Sequence, residues 1–171
     1  SVELVHVGRL VKEKGQRDAL RVTSLLKDRG IKVKITLFGD GPDKNFLLGL
    51  ANDLGITENV RIVSDIDKPY KFFDRFDFFV FPSYGEGLGN ALIEAAYSGM
   101  PCFVYHNTVF PELSDLGLIL NFSSQGDFLS MATNLEDSIK QKNPVPLNNR
   151  EIVERHFSKN SELSVLLPNL D

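Results

Sequence analysis

Two short runs in this chain of 171 residues combine residue types that can do chemistry. In the first, Gly8-Arg9 is followed by Lys12, Lys14 and Gly15, so three cations and two glycines precede a helical pattern. Glycine admits close backbone approach, a helix start offers unpaired N–H groups, and Arg9 and Lys14 can donate charge-assisted hydrogen bonds to phosphate oxygens. The run also fits a plainer arrangement, with Lys12 and Lys14 solvated and Arg9 paired to Glu13 or Asp18. The second run is Gly85-Glu86-Gly87-Leu88-Gly89-Asn90, continuing through Ala91 and Glu94 to Ala96. Its glycines let a ligand touch the main chain, and N–H groups at the helix entry suit a diphosphate. Glu94, less than two turns into that helix, either accepts hydrogen bonds from ligand hydroxyls or is a surface residue favoured by the helix dipole.

Other chemistries find less support. Gly85 and Gly87, with Asn90 where a third glycine belongs, imitate a dinucleotide fingerprint, but that motif follows the first strand of its fold and this run follows the fourth. Lys14 is followed by Gly15 rather than Ser or Thr, so there is no Walker motif. His6 reads as a packed residue of the first strand, His156 belongs to the last helix, and only His106, ending the fifth strand, reaches the cleft edge. Spacings for a zinc site or a nucleophile elbow are missing. Cys102 is the single cysteine, which rules out an intrachain disulfide and fits a reducing compartment as a small buried hydrophobe.

The elements that must position these runs alternate between short apolar stretches and longer helical patterns. Strands are expected at Leu4 to Val7, Val33 to Phe38, Val60 to Val63, Phe78 to Phe81, Cys102 to Tyr105 and Leu118 to Leu120. Helices are expected from Gly15 to Gly30, over Phe46 to Leu54 with Phe46, Leu47, Leu50, Ala51 and Leu54 on one face, briefly over Tyr70 to Phe76, and from about Leu88 to Tyr97. A further helix spans Phe128 to Lys140 with Leu129, Ala132, Leu135 and Ile139 inward. Asn143 to Pro146 reads as a linker before a last helix, Asn149 to Phe157. The economical fold is α/β: a Rossmann-like, doubly wound parallel sheet of about six strands with helices on both faces. Residues 1–142 then form the main domain, and 143–171 a linker and helix packing on it. Right-handed crossovers place the loops after the strands at the sheet's carboxyl edge, where such folds bind ligands.

Composition sharpens the expectation. Lys and Arg number 19 against 23 for Asp and Glu, a formal charge of -4, so no global basic field exists for nucleic acid. An anionic ligand must be held by local donors. No stretch approaches a membrane span. The start, Ser1-Val2-Glu3-Leu4, has neither an initiator Met nor a signal-peptide pattern and reads as a cut piece.

Taken in order, Gly8-Arg9-Leu10-Val11 with Lys14-Gly15, then Gly39-Asp40-Gly41-Pro42, then Glu86-Gly87-Leu88-Gly89 with Glu94-Ala95, and finally Gly99-Met100-Pro101 resemble the C-terminal, nucleotide-sugar-binding domain of GT-B retaining glycosyltransferases, the group 1 or GT4-like family. The resemblance implies that Arg9 and Lys14 hold the donor diphosphate and that Glu86 contacts hydroxyls of the transferred sugar. Backbone around Gly87, Leu88, Gly89 and Asn90 would lie near that sugar and the phosphates, Gly8 and Gly39 beside the donor, and Glu94 on the ribose. Ser64-Asp65-Ile66 would seat the base, with Ser64 where the family commonly has glycine.

The resemblance further implies a UDP-sugar, or else a GDP-sugar, as donor, a glycan or lipid-linked acceptor in surface polysaccharide or glycoconjugate synthesis, no metal or other cofactor, and a cytoplasmic location with peripheral contact at the inner face of the membrane. An N-terminal acceptor-binding half would be absent from this chain, so it would bind donor without transferring sugar. The loop His106 to Glu112 lacks the family's glycine, while Glu112 matches its acidic position. Competing readings are a nucleotide-sugar epimerase half-site using Glu86, Glu112 and His106, and a non-catalytic nucleotide-binding module.

Overall fold

The computed structural model describes residues 1–142 and 148–157. Strands β1 (Val2–Val7), β2 (Val33–Phe38), β3 (Val60–Val63), β4 (Phe78–Phe81), β5 (Cys102–Tyr105) and β6 (Asn121–Ser123) form one sheet in the order β3-β2-β1-β4-β5-β6. Every pairing is parallel. Helices α1 (Gln16–Asp28), α2 (Lys44–Asp53), α3 (Asn90–Tyr97), α4 (Phe110–Asp115), α5 (Phe128–Gln141) and α6 (Asn148–Phe157) cover its two faces. The expected Rossmann-like architecture is therefore the observed one.

The two-residue alternation of each strand divides the core. Leu4, Val80, Phe103 and Tyr105 pack with Ala19, Leu20 and Leu26 of α1 and Met131 and Leu135 of α5. Their neighbours Val5, Phe79, Phe81, Cys102 and Val104 face the other way, onto Leu92, Ile93, Ala95 and Ala96 of α3. Each fully buried Leu or Phe removed from water contributes about 1.5–3 kcal/mol. Val153 and Phe157 of α6 join the α3 side, and Asn149 clips that helix to the sheet edge by accepting from the Ile119 N–H at 2.7 Å.

Strands β2 to β5 fall where the apolar runs predict them. The sixth does not: Leu118 to Leu120 is the more apolar stretch, yet Leu118 turns into the core behind α4 while the polar Asn121–Ser123 pairs with β5 as an edge strand. Phe46 is 48% exposed rather than inward, its ring lying under the Arg17 guanidinium at 4.2 Å. Leu129 is 55% exposed, since it precedes the buried Leu135 by six residues and lies about 240° round the helix from it. The brief helix expected over Tyr70 to Phe76 is present as a 3-10 helix, Pro69–Arg75, and α3 starts at Asn90, two residues later than expected. Residues 106–115, expected as open loop, contain α4. The linker Asn143 to Pro146 lies outside the described residues. Among the described residues no helix is long and apolar enough to cross a membrane.

The strand order reverses at β1, which has β2 on one side and β4 on the other. This is the switch point at which crossovers leave a crevice. Two glycines close it. A Cβ on Gly39 would lie 2.0 Å from the Gly8 carbonyl oxygen, and one on Gly15 would lie 1.8 Å from that of Pro82, with Gly15 also at a left-handed φ of 73°. Gly30 has a similar φ of 81° but nothing within 4 Å of its virtual Cβ. Gly30→Ala should therefore cost about 1 kcal/mol and Gly15→Ala more than about 3 kcal/mol, since backbone must move as well. Urea unfolding of the two variants checks this, and equal midpoints would refute the tight junction.

Candidate functional site

Because β1 and β4 pair directly, the loops that leave them emerge side by side. The chain leaving β1 is tied to β2 by Gly8 N–H donating to Phe38 O at 3.0 Å and Leu10 N–H to Asp40 O at 2.9 Å. It then makes a 3-10 turn at Lys12–Lys14 and enters α1 through Gly15. The loop leaving β4 is held against that turn, Tyr84 N–H donating to Glu13 O at 2.8 Å.

Across this junction Lys14 Nζ donates to Glu86 Oε1 at 2.6 Å, with side chains 25% and 8% exposed. Ser83 Oγ lies 2.9 Å from the same carboxylate oxygen, 3.0 Å from Gly85 O and 3.2 Å from Glu13 O. Its single proton serves one acceptor at a time, and the charged one gives the strongest bond. Sequence reasoning placed Lys14 and Glu86 in different roles; the structure brings them together.

Arg9 is exposed and makes no ion pair among the described residues. The pairings of Arg9 with Glu13 or Asp18 are not adopted. Asp18 is buried and already committed, accepting from Tyr84 Oη at 2.6 Å, Tyr105 Oη at 2.9 Å and Arg21 Nη1 at 2.8 Å. Burial and the facing Asp18 carboxylate push the Tyr84 phenol up to about 12. Tyr105 is raised too, mainly by burial. Both phenols thus stay protonated and donate, fixing the base of the loop that carries Glu86 to α1 and β5.

Gly87 and Leu88 are exposed, Gly89 takes a left-handed φ of 77° as the residue before α3, and Asn90 opens the helix. Glu94, one turn on, is half-buried, its carboxylate without a hydrogen bond or ion pair among the described residues, and burial pushes that carboxyl from 4.5 up to about 7. Beyond β3, Ser64 Oγ accepts from Lys44 Nζ at 3.0 Å and lies 3.4 Å from Gly39 O. Asp65 is exposed and holds a left-handed φ of 59°, while Ile66 packs against the α3-side core. Asp65 and Asp67 make an Asp-x-Asp triplet, but among the described residues no three His, Cys, Asp or Glu side chains converge as a metal site would need.

His106 is exposed with its ring tilted on Phe122, and Glu112 is exposed in the first turn of α4. Neither hydrogen-bonds to Lys14 or Glu86. The residue of this loop that does reach the junction is Asn107. It is buried, accepts from the Val109 and Phe110 N–H groups at 3.0 and 2.8 Å, and donates to Ser83 O at 3.2 Å. An Asx residue followed by Val109-Phe110-Pro111 is a helix-start signal, which would have revealed α4. Nothing local in the sequence marks the Asp18, Tyr84 and Tyr105 cluster, because its members come from different elements, or the bond from Ser83 to Glu13, which joins two loops.

The site is thus a crevice at the switch point of a doubly wound α/β sheet, edged by glycine turns, the exposed Arg9 and the half-exposed Lys14. The chain matches the family model described as "Glycosyl transferases group 1" over residues 2–121, and it belongs to that family. It is 28% identical over 158 residues, 90% of this chain and 41% of the relative, to the capsular polysaccharide biosynthesis glycosyltransferase CapM of Staphylococcus aureus. It is 31% identical over 144 residues, 81% of this chain and 39% of the relative, to the N-acetylgalactosamine-N,N'-diacetylbacillosaminyl-diphospho-undecaprenol 4-alpha-N-acetylgalactosaminyltransferase of Campylobacter jejuni. Among solved structures, Anabaena HepE in complex with UDP and glucose superposes with a TM-score of 0.83 at 20% identity, covering 99% of this chain and 49% of that one. The chain thus spans less than half the length of these curated relatives.

The shared acceptor Asp18 makes a stability prediction. Tyr105→Phe removes one bond to a charged group and should cost about 1.5–3 kcal/mol, whereas Asp18→Ala also strands the buried Tyr105 hydroxyl and should cost more. Urea unfolding of both variants measures the difference; a milder Asp18→Ala would contradict the shared-acceptor geometry.

Proposed function

We propose that this chain is the donor-binding half of a retaining, metal-independent hexosyltransferase of the group 1 family, acting in surface polysaccharide or glycoconjugate synthesis. The observation that carries the reading is the Lys14–Glu86 pair at the switch point, beside an Arg9 without an ion partner among the described residues. The ammonium of Lys14 spends one of its three hydrogens on Glu86 and keeps two for phosphate oxygens. Arg9 adds a fork-shaped donor to the same loop. The entry of α3, around Gly87 to Asn90, supplies N–H groups with a favourable dipole.

The chemistry asks for little more. A nucleoside diphosphate is a fair leaving group, so breaking its bond to the sugar mainly requires that the charge growing on the phosphates be met by fixed donors. Arg9 and Lys14 do for the diphosphate what a divalent ion does in other transferases. Glu86, held by Lys14 and Ser83, accepts from hydroxyls of the sugar and orients its anomeric carbon. Glu94 accepts from the ribose hydroxyls, and Ser64, Asp65 and Ile66 seat the base, with Gly8 and Gly39 lining the approach.

UDP-sugar is the favoured donor and GDP-sugar the alternative, the HepE complex with UDP and glucose supporting the first. The acceptor is a glycan or a lipid-linked glycan, as the names of CapM and the Campylobacter jejuni enzyme suggest for those relatives. Those acceptors, and the step itself, need an acceptor-binding half beyond this chain, with the whole enzyme in the cytoplasm at the inner face of the membrane.

Lys14→Ala should weaken UDP binding by about 1.5–3 kcal/mol, the value of a hydrogen bond to a charged group. Calorimetry in EDTA and again with magnesium measures it. Unchanged affinity in the variant removes the phosphate role, and binding that requires magnesium removes metal independence.

Glu94 gives a pH dependence. Its folded value of about 7 lies above the ordinary 4.5, so the folded state holds a proton that the unfolded chain has released between those values. Its contribution to stability therefore falls as pH rises through that window. The ionised carboxylate is the better acceptor, so affinity for a UDP-sugar, whose diphosphate diester does not titrate there, should rise up to about tenfold from about pH 6 to pH 8. Glu94→Gln should flatten the profile; an unchanged slope would count against the ribose contact.

A further inference from the structure

His6 stands in β1, an inner strand of the sheet, fully buried and in register with Leu37 of β2. Burial lowers its imidazole from 6.5 to about 4, so the ring is neutral. Its Nε2 lies 2.8 Å from the carbonyl oxygen of Lys14, which makes Nε2–H the donor, while Nδ1 is buried with no hydrogen-bond partner among the described residues. An orphaned ring nitrogen is a cost that an apolar side chain at this position would avoid. What the imidazole gains in return is the single bond to the Lys14 carbonyl.

A second buried side chain does the same for the other cation. Gln16 is 1% exposed at the start of α1, and its Nε2 donates to the carbonyl oxygen of Arg9 at 2.8 Å. The carbonyls of both cations are thus drawn into the protein, one from the strand before the loop and one from the helix after it. A carbonyl oxygen carries partial negative charge, and left facing the crevice it would oppose an anion. Turned inward onto donors, it leaves the crevice to side-chain cations and N–H groups. Gly8 completes the fit: a Cβ there would sit 3.5 Å from His6 Cε1 and 3.6 Å from Lys14 Cγ, so the lysine stem runs over the glycine on its way to Glu86.

We propose that His6 and Gln16 are positioning residues, which hold the main chain of Lys14 and Arg9 so that both cations present to a nucleoside diphosphate with their carbonyls turned away. The proposal rests on the phosphate reading of Lys14 and Arg9.

The test is a pair of double-mutant cycles read by UDP calorimetry on this chain, with thermal melts alongside. His6→Leu should weaken UDP about fivefold or more in the wild-type background and less than about twofold in the Lys14→Ala background. His6→Gln, whose amide nitrogen reaches the position of Nε2, should restore most of the loss. Gln16→Leu should couple to Arg9→Ala in the same way, and this second cycle decides the matter should His6→Leu fail to fold. A merely structural role moves the melts and leaves the losses equal in both backgrounds, which overturns the positioning proposal while the phosphate reading stands. If Lys14→Ala and Arg9→Ala leave UDP affinity unchanged, the phosphate reading falls and takes the positioning proposal with it.

Discussion

The contact on which this structure turns is the apposition of the Lys12–Gly15 turn with the loop leaving β4. It exists because β1 and β4 are neighbours, and it closes because Gly15 brings no side chain against the Pro82 carbonyl. Once the two main chains meet, Tyr84 N–H finds Glu13 O, and Lys14 comes within reach of Glu86. A larger residue at position 15 would push the cation loop and the carboxylate loop apart, and the site would lose its geometry before it lost any functional side chain.

Around that junction the polar network is layered. Asp18 ties the loop after β4 to α1 through Tyr84 and to β5 through Tyr105, and Asn107 ties the loop after β5 back to Ser83. The loops after β4 and β5 are thereby fixed to each other, to α1 and to β5 by buried or half-buried hydrogen bonds, whose loss would be expensive in a low-dielectric setting. The chain's formal charge of -4 plays little part in the local field, since Arg9 and Lys14 are presented by this framework.

The sequence made the frame legible and hid its couplings. Strands β2 to β5 were readable because each is a dense apolar run bounded by Gly, Pro or polar residues. β6 was not, since an edge strand with one partner needs little hydrophobicity and the more apolar Leu118 to Leu120 drew the assignment. Helix α4 hid because it is short and its start signal, Asn107 with Pro111, lay in a stretch read for ligand contacts. At the site, Arg9, Lys14, Glu86 and Glu94 stand out by type and spacing. Ser83, Gln16, Lys44 and the polar side of His6 do not: Lys44 meets Ser64 across a crossover, and the other three act on groups in their own or the adjoining loop that only the folded path of that loop turns toward them.

On the proposed donor reading, charge explains why Lys14 and Glu86 should be paired before any donor arrives. A carboxylate beside a diphosphate site is a liability, since an anion approaching within a few ångströms would meet it in a partly desolvated crevice, where charges interact more strongly than in water. With Glu86 only 8% exposed and neutralised by Lys14, the field that a donor first meets is set by Arg9 and the start of α3. The carboxylate nonetheless stays in place, because Ser83 holds the same oxygen that Lys14 does. On that reading, an acceptor for sugar hydroxyls would be kept ordered and electrostatically quiet by the cation that the phosphates would share. That economy requires the two groups to sit on different loops, one from each side of the switch point, so that the sugar and the diphosphate can flank the pair instead of displacing it.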